Sequence, residues 1–322
     1  MRQKKIFLIL VLLCAMVQGA WAQANWEEVY AMTQTTSADW TQLNAGSTTG
    51  KTIGTVNTTT YLHVTGNLTF SNSTAGGSGL TILGTVYLYV PQGVTVTCKG
   101  ANASGQTGAG AGIELAMGHS LFLVGQGSVI ATGGNAANGS NGTNGTDASY
   151  DSNADAAWVG GNGHGGNGGG GAGAGIGTRG GTGGAGGSAP EGEIYYTTWV
   201  ENGVAGSAGS AGLTADVMGN LYVSNGFTVD VTGGSKADAG SAGSAGKSYL
   251  YVGSNVYSFP GGGGGGAGGG GGAASKIGSG GPGGGGGGGG AKGAHTWAAS
   301  GFFVIYANGG GGGQNGDGSF AA

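Results

Sequence analysis

The sequence predicts an all-β protein built from parallel β-solenoid coils (β-helix-like) with glycine-rich inserts, and three observations lead to this fold class. Apolar and polar residues alternate with a period of two in several segments rich in Val, Thr and Tyr, which is typical of half-buried strands. Helical periodicity is almost absent beyond the N-terminal region. Glycine accounts for 85 of the 322 residues, far above its usual share of about 7%, and is concentrated between the strand segments.

The N-terminal 22 residues have the form of a secretory signal peptide. Three cations precede an apolar run from Ile6 to Val17, and Ala20-Trp21-Ala22 provides small residues before a cleavage site after Ala22. The apolar run is too short for a transmembrane helix, which needs roughly 20 residues. We therefore expect a secreted or cell-surface protein with no transmembrane helix in the mature chain. A retained N-terminal anchor is the alternative.

Charge and cysteine content exclude two classes of protein. Without residues 1–22 the chain keeps all 14 acidic residues and 7 of its 10 Lys and Arg residues, a formal net charge of −7. There is no basic cluster to neutralise phosphates, so nucleic acid is not an expected partner. Cys98 is the one cysteine beyond the signal peptide, which excludes a disulfide-stapled fold. We expect Cys98 to be a small packed side chain.

The strand pattern recurs as a repeated unit. Each copy has a Gly, a short strand, a turn containing Gly, a second strand and a Gly exit. Repeats of about 20 residues that each bury one apolar row favour a β-solenoid, with antiparallel hairpins in a sandwich as the alternative. The strand segments are Thr60–Phe70, Leu80–Thr97, Gly112–Thr132, Asp216–Val231 and Ser300–Tyr306. The units are Gly84–Asn102, Gly118–Asn135 and Gly219–Ser235, with Tyr61–Ser71 as a shorter copy.

The inserts have a period of three. Asn138–Thr146 reads NGS-NGT-NGT, Ala239–Lys247 reads AGS-AGS-AGK, and Gly261–Gly272 is nearly pure glycine. This period matches the three-residue turn of a polyproline-II-type helix, and the lack of proline in the triplets excludes collagen. Two states remain open: flexible linkers, or a polyglycine-II bundle in which neighbouring backbones exchange hydrogen bonds.

These patterns divide the chain into six regions. We predict a signal peptide (1–22), N-terminal β-solenoid coils (23–135), a Gly-rich insert (136–212), a further β-solenoid coil (213–235), a second Gly-rich insert (236–299), and a terminal strand with a Gly-rich tail (300–322).

Aromatic residues within the inserts are the candidate ligand-binding residues. Flat aromatic rings suit sugars and protein partners, so glycans and host or matrix proteins are the expected ligands. The alternative is that these rings cover the glycine segments or form a small satellite core. The candidates are Tyr195, Tyr196, Trp199, Tyr249, Tyr251 and Trp297.

Metal and catalytic signals are sparse. Asp151, Asn153 and Asp155 have the alternating spacing that opens an EF-hand-like loop, so they form a candidate Ca²⁺ site. Ala156 replaces the turn glycine of that motif, and a solvated polar loop is the alternative. No other cofactor is expected. A glycan-active enzyme would need paired carboxylates on one face, but Glu114 lies about a hundred residues from Asp216 and Asp230.

The strand segments YLHVTGNLTF and GSGLTILGTVYLYVPQGVTVT, together with glycine runs such as GGAGGGGGAASKIGSGGPGGGGGGGGA, resemble secreted glycine-rich proteins of Gram-negative gut-type bacteria. That resemblance implies β-helical coils and an adhesin-like role at the cell surface. The glycine runs also resemble polyglycine-helix modules of phage adhesins and receptor ectodomains, which supports the bundle without assigning any binding residue.

The sequence therefore predicts a non-catalytic, secreted or cell-surface structural or adhesin-like protein. One alternative is a β-solenoid polysaccharide lyase or hydrolase. Another is an extracellular matrix or ice- or surface-binding protein, which would require a regular threonine ladder. The sequence shows TVT and TTT fragments but no sustained ladder. Oligomeric state is not predicted.

Overall fold

The computed structural model describes residues 40–151, 156–191, 194–195, 206–252, 255–291, 296–299 and Asn315. Within these residues the secondary structure is entirely β. The strands are β1 (Thr41–Leu43), β2 (Gly46–Thr49), β3 (Lys51–Val64), β4 (Leu68–Ser71), β5 (Leu80–Val90), β6 (Thr95–Lys99), β7 (Ile113–Glu114), β8 (Ser120–Gly125), β9 (Ser128–Thr132), β10 (Ser149–Asp151), β11 (Ala156–Trp158), β12 (Ile176–Gly177), β13 (Ile194–Tyr195), β14 (Asn220–Val223), β15 (Thr228–Thr232), β16 (Tyr249–Val252), β17 (Asn255–Phe259), β18 (Ile277–Gly278) and β19 (Thr296–Ala299).

Two parallel sheets form the base of the molecule. The first parallel sheet has the order β1-β3-β5-β7-β12-β18, and β8 and β14 continue it beside β5. The second parallel sheet has the order β2-β4-β6-β9-β15. Each repeated unit gives one strand to each sheet, and strands of successive units pair in parallel, as β5 does with β8 and β6 does with β9. This pairing excludes antiparallel hairpins as the structure of the repeated units.

The inward-facing residues of both sheets form one apolar core. Along β5 every second residue is buried, from Leu80 to Val90. Phe70 and Val129 of the second sheet join the same cluster. Cys98 also lies in this core and is fully buried, as the sequence predicted. Burial raises the pKa of its thiol above the ordinary value.

The sheets begin earlier than the sequence pattern predicted. β1, β2 and the first half of β3 lie upstream of Thr60, in a segment dominated by Thr, Gly and Asn. These residues have little apolar alternation, but Lys51 of β3 pairs with Leu80 of β5 and Ser47 of β2 with Thr69 of β4. Pairing with a well-formed neighbour therefore decides their structure. The predicted strand Ser300–Tyr306 lies outside the described residues.

Seven glycine-rich segments, here called struts, leave and rejoin the parallel sheets. Residues 163, 166 and 169 donate N–H bonds of 2.8–2.9 Å to the carbonyls of residues 263, 266 and 269. Bonds with the same three-residue step join most neighbouring pairs of struts. They are strut 1 (133–147), strut 2 (159–175), strut 3 (178–190), strut 4 (206–216), strut 5 (233–247), strut 6 (260–275) and strut 7 (279–291).

Close approach explains why glycine dominates the central struts. Gly166 is buried, donates its N–H to Gly266 and accepts a bond from Gly287, both at 2.8 Å. A Cβ atom added to Gly166 would overlap the carbonyl oxygen of Ser140. Only a residue without a side chain lets the three neighbouring struts approach strut 2 closely enough for these bonds.

Strut 1 and strut 5 are joined by a ladder that combines side-chain and backbone bonds. The Oδ1 atom of Asn138 accepts the N–H of Asp238 at 3.1 Å, and the carbonyl of Asp238 accepts the N–H of Gly139 at 3.0 Å. We call this reciprocal pair a rung. Equivalent rungs begin at Asn135, Asn141 and Asn144, and at Asp147, whose carboxylate replaces the amide.

Every rung joins residues 100 positions apart, and the same offset relates Ser120 of β8 to Asn220 of β14 and Ser128 of β9 to Thr228 of β15. The parts of the chain that begin near residues 118 and 218 are therefore two copies of one long unit, stacked in register. The strand units Gly118–Asn135 and Gly219–Ser235 already have about this spacing in the sequence, but the struts that follow them differ in composition, so the full length of the copy is not evident there.

Candidate functional site

Two small antiparallel sheets lie where the struts end, away from the parallel sheets. The first tip sheet contains β10, β11 and β13, and the second tip sheet contains β16, β17 and β19. Strut 1 leads from β9 to β10, and strut 2 returns from β11 to β12. Strut 1 thus places 15 residues between a strand of the second parallel sheet and the first tip sheet. The struts therefore hold the tip sheets well away from the apolar core of the parallel sheets.

The two tip sheets pack on one another through a small apolar cluster. The rings of Tyr150 in β10 and Phe259 in β17 are nearly parallel, with an interplanar angle of 7° and centroids 6.5 Å apart. Ala148 and Val159 complete the cluster, in which Phe259 is buried. A backbone bond of 2.9 Å from Ala148 to Lys247 adds a further link. Phe259 thus has the satellite-core role that the sequence left open for aromatic residues of the inserts.

The predicted ligand-binding aromatics of the second insert meet in the second tip sheet. Tyr249 pairs with Phe259, and Tyr251 pairs with Tyr257, which pairs in turn with Trp297. Tyr249 is exposed, at 39% of its full accessible surface.

The aromatics of the first insert are only partly described. Tyr195 lies in β13 of the first tip sheet, where it pairs with Ala157. Tyr196 and Trp199 fall outside the described residues, so their role in ligand binding stays a prediction.

Only one residue of the candidate Ca²⁺ site, Asp151, lies in the described part of the first tip sheet. Asp151 ends β10 and pairs with Ala156, which begins β11. Asn153 and Asp155 are in the intervening segment, outside the described residues. Elsewhere in the described chain, no three His, Cys, Asp or Glu side chains come together as a metal-binding group. The calcium site stays a prediction.

Glu114 in β7 of the first parallel sheet forms an ion pair and accepts a hydrogen bond from a neighbouring strand. Both carboxylate oxygens of Glu114 lie 2.8 Å from guanidinium nitrogens of Arg179, and the hydroxyl of Thr81 donates to Oε2 at 2.9 Å. This pair fixes the start of strut 3 to the sheet. Two histidines of the described strands and turns also have structural contacts: His63 packs edge-on against Tyr89, and Nδ1 of His119 accepts the N–H of Gly84.

The strands also form an aromatic ladder on the outer face of the first parallel sheet. Its five rings come from Trp40, Tyr61, Tyr87, Phe122 and Tyr222, with successive centroids 4.4–5.1 Å apart. The sequence contains a signal for this ladder, because an aromatic residue stands at the same strand position in each of the aligned repeated units. Trp40 forms the first end of the ladder, where its ring packs against Tyr61.

The geometry of the ladder limits what it can bind. Phe122 stacks on Tyr87 and Tyr222 with interplanar angles of 10° and centroid distances of 4.4 Å, so neighbouring rings cover its faces. Sugar rings bind to open aromatic faces, whereas this ladder presents ring edges and hydroxyls. Burial, and then the nearby Tyr61 and Tyr222, raise the pKa of the Tyr87 hydroxyl, which keeps it neutral. The ladder is thus primarily a stabilising feature of the sheet.

The part of the chain described here contains no helix that could span a membrane. No protein-family model, curated protein or solved structure matches the chain.

Proposed function

We propose that this chain is a non-catalytic, adhesin-like protein of the cell surface or extracellular space, in which a rigid scaffold presents two aromatic tip sheets to a ligand. The observation that carries the proposal is the convergence of both strut systems on adjacent tip sheets whose strands contain most of the aromatic residues of the inserts. Glycans and matrix proteins are the ligand classes that such rings suit.

The base of this scaffold is a two-sheet parallel β-solenoid. Five pairs of consecutive strands place one strand in each sheet, namely β1–β2, β3–β4, β5–β6, β8–β9 and β14–β15, and each strand pairs in parallel with the equivalent strand of a neighbouring layer. Stacked layers of this kind share one continuous core, as the buried cluster from Leu43 to Val231 does.

The struts above it form a polyglycine-II bundle. The three-residue step of the hydrogen bonds is the period of that helix, and strut 2 exchanges bonds with struts 1, 3, 6 and 7. Ordering so much glycine costs conformational entropy. The many short backbone bonds and the side-chain rungs offset that cost, and the result is a stiff support for the tips.

A glycan-active enzyme is less well supported. Glu114, the acidic residue of β7, is held by Arg179 and Thr81, so its carboxylate is already engaged in an ion pair. General acid–base chemistry requires a carboxyl group placed against the substrate, and Glu114 is not so placed.

Binding assays on the chain lacking residues 1–22 test the proposal. The protein is screened against a glycan array and a panel of matrix proteins, and the affinity for any hit is then measured for Tyr249→Ala. Truncating a central interface tyrosine commonly costs enough to weaken binding about tenfold or more. We expect a loss of that size.

Tyr222→Ala is the matched control, because Tyr222 is exposed to the same extent, 40% against 39%, but lies on the first parallel sheet. It should bind as the unmodified chain does. Equal losses in the two variants, or the absence of any ligand in both screens, would contradict the presentation of a ligand by the tips.

A further inference from the structure

The outer face of the second parallel sheet is a lattice of hydroxyl groups. Its five strands pair without any register shift, so the outward residues line up in three columns that cross the sheet. The first column contains Thr95, Ser128 and Thr228, the second contains Ser47, Thr69, Thr97, Ile130 and Asp230, and the third contains Thr49, Ser71, Lys99, Thr132 and Thr232.

Ten of these thirteen positions are Ser or Thr, and none of the thirteen is buried. The columns are spaced by two residues along each strand, about 6.8 Å, and their members by one strand, about 4.8 Å. Hydroxyls of adjacent strands are close enough to interact, since Oγ1 of Thr95 lies 2.8 Å from Oγ of Ser128. The threonine ladder that the sequence shows only as fragments is thus assembled by the register of the strands.

Strand propensity alone does not account for this composition. Threonine suits outward strand positions, but so do aromatic residues. The outer face of the first parallel sheet follows that rule with Tyr61, Tyr87 and Phe122 in a single column. The thirteen outward positions of the second sheet contain no aromatic residue. The two outer faces of one scaffold therefore differ in chemistry, because the first carries a column of aromatic rings and the second carries none among these positions.

We propose that the hydroxyl lattice binds the surface of crystalline water. Discrete small ligands are held in concave sites. This face is instead an open, repeating array, and a ligand with a repeating surface matches it best. β-Branched threonine has a stiff χ1 angle, so the array is ordered before it binds and little entropy is lost on contact. Each hydroxyl contributes weakly, but many act together on one lattice.

A water lattice fits this face better than a crystalline polysaccharide does. Sugars are recognised largely through aromatic faces, and none stands among the thirteen positions. Lys99 in the central strand β6 and Asp230 in the edge strand β15 are the two charges on the face, and β9 lies between them, so the face has no charged cluster for an ionic surface. The site is distinct from the tip sheets and does not rest on the function proposed for them.

Ice-affinity partitioning tests the assignment. Ice is grown slowly from a solution of the chain without residues 1–22, and the fraction taken into the ice is compared with that of an inert soluble protein. We expect the chain to be enriched. Thr97→Tyr, at the centre of the lattice, should reduce the enrichment about tenfold, as expected for the loss of a few weak contacts.

Thr85→Tyr is the matched control, because Thr85 also points outward from a central strand but belongs to the first parallel sheet. It should partition as the unmodified chain does. Ile130→Thr fills a gap in the lattice and should raise the enrichment, an outcome that a loss of folding cannot mimic. Partitioning equal to the inert protein, or equal losses in the two tyrosine variants with unchanged circular dichroism, would overturn the assignment.

Discussion

Replacing Gly166 with alanine tests whether the struts are a packed bundle. Gly166 lies in strut 2, surrounded by struts 1, 6 and 7, and its backbone bonds to Gly266 and Gly287 measure 2.8 Å. The new methyl group would overlap the carbonyl oxygen of Ser140, which itself accepts the N–H of Gly268 at 3.0 Å. The variant must therefore move a strut or give up bonds.

The magnitude follows from three contributions. Overpacking of a close-packed interior costs about 1–3 kcal/mol, and one displaced hydrogen bond costs about 1 kcal/mol. Alanine reduces the entropy of the unfolded chain, which returns about 0.5–1 kcal/mol. The net destabilisation is about 2 kcal/mol, which for a protein of this size lowers Tm by roughly 5 °C.

Thermal unfolding followed by circular dichroism measures this shift. Ala208→Ser is the matched control, because it adds an atom at an exposed position of strut 4 and should change stability by less than about 0.5 kcal/mol. If Gly166→Ala melts at the temperature of the unmodified chain, strut 2 is not in contact with its neighbours. The segments would then be flexible linkers, and the rigid scaffold would be refuted.

Two further predictions concern the rungs and the core. Asn141→Ala removes the oxygen that accepts the N–H of Ser241 at 2.8 Å and should cost about 1 kcal/mol. Asn141→Asp keeps an acceptor at this position and should reduce the free energy of unfolding by less. The measurement is hydrogen exchange of the Ser241 amide, which should be faster in the alanine variant alone. Equal exchange in both variants would contradict the rung. Cys98 has a raised pKa because it is buried, so its thiol should resist alkylation in the native state and react on unfolding. The stability linked to this thiol is fully present below the ordinary cysteine pKa of about 8.5 and decreases as the pH rises above it; rapid native-state labelling at pH 8 would show that the site opens.

The parts of the fold that could be predicted are those where burial determines the residue type. β5, β6, β8 and β9 alternate between buried and open positions, and that alternation is visible as a period of two. β2 has no buried residue, so its sequence carries no such pattern, and its structure depends on pairing with β4.

The candidate binding sites also differ in how far the sequence could predict them. The aromatics of the tip sheets were predicted because they stand out within glycine-rich segments. The hydroxyl lattice was not, because members of one column, such as Thr69 and Thr97, are widely separated in sequence and are brought together only by register. The extension of the 100-residue offset into the struts was hidden for a related reason: a glycine strut can bond to any neighbour at the right spacing, so its sequence does not specify its partner.

The rungs have a consequence for the chemical durability of the protein. Asn138, Asn141 and Asn144 are each followed by glycine, the pairing in which an unhindered backbone nitrogen attacks the side-chain carbonyl carbon and closes a succinimide ring as ammonia leaves. In each rung the glycine N–H donates to the carbonyl of one residue of strut 5. The asparagine Oδ1 accepts the N–H of that same residue. Ring closure must break both bonds and turn the side chain inward. The arrangement that aligns the two copies thus also slows the spontaneous ageing to which their Asn-Gly sequences would otherwise be prone.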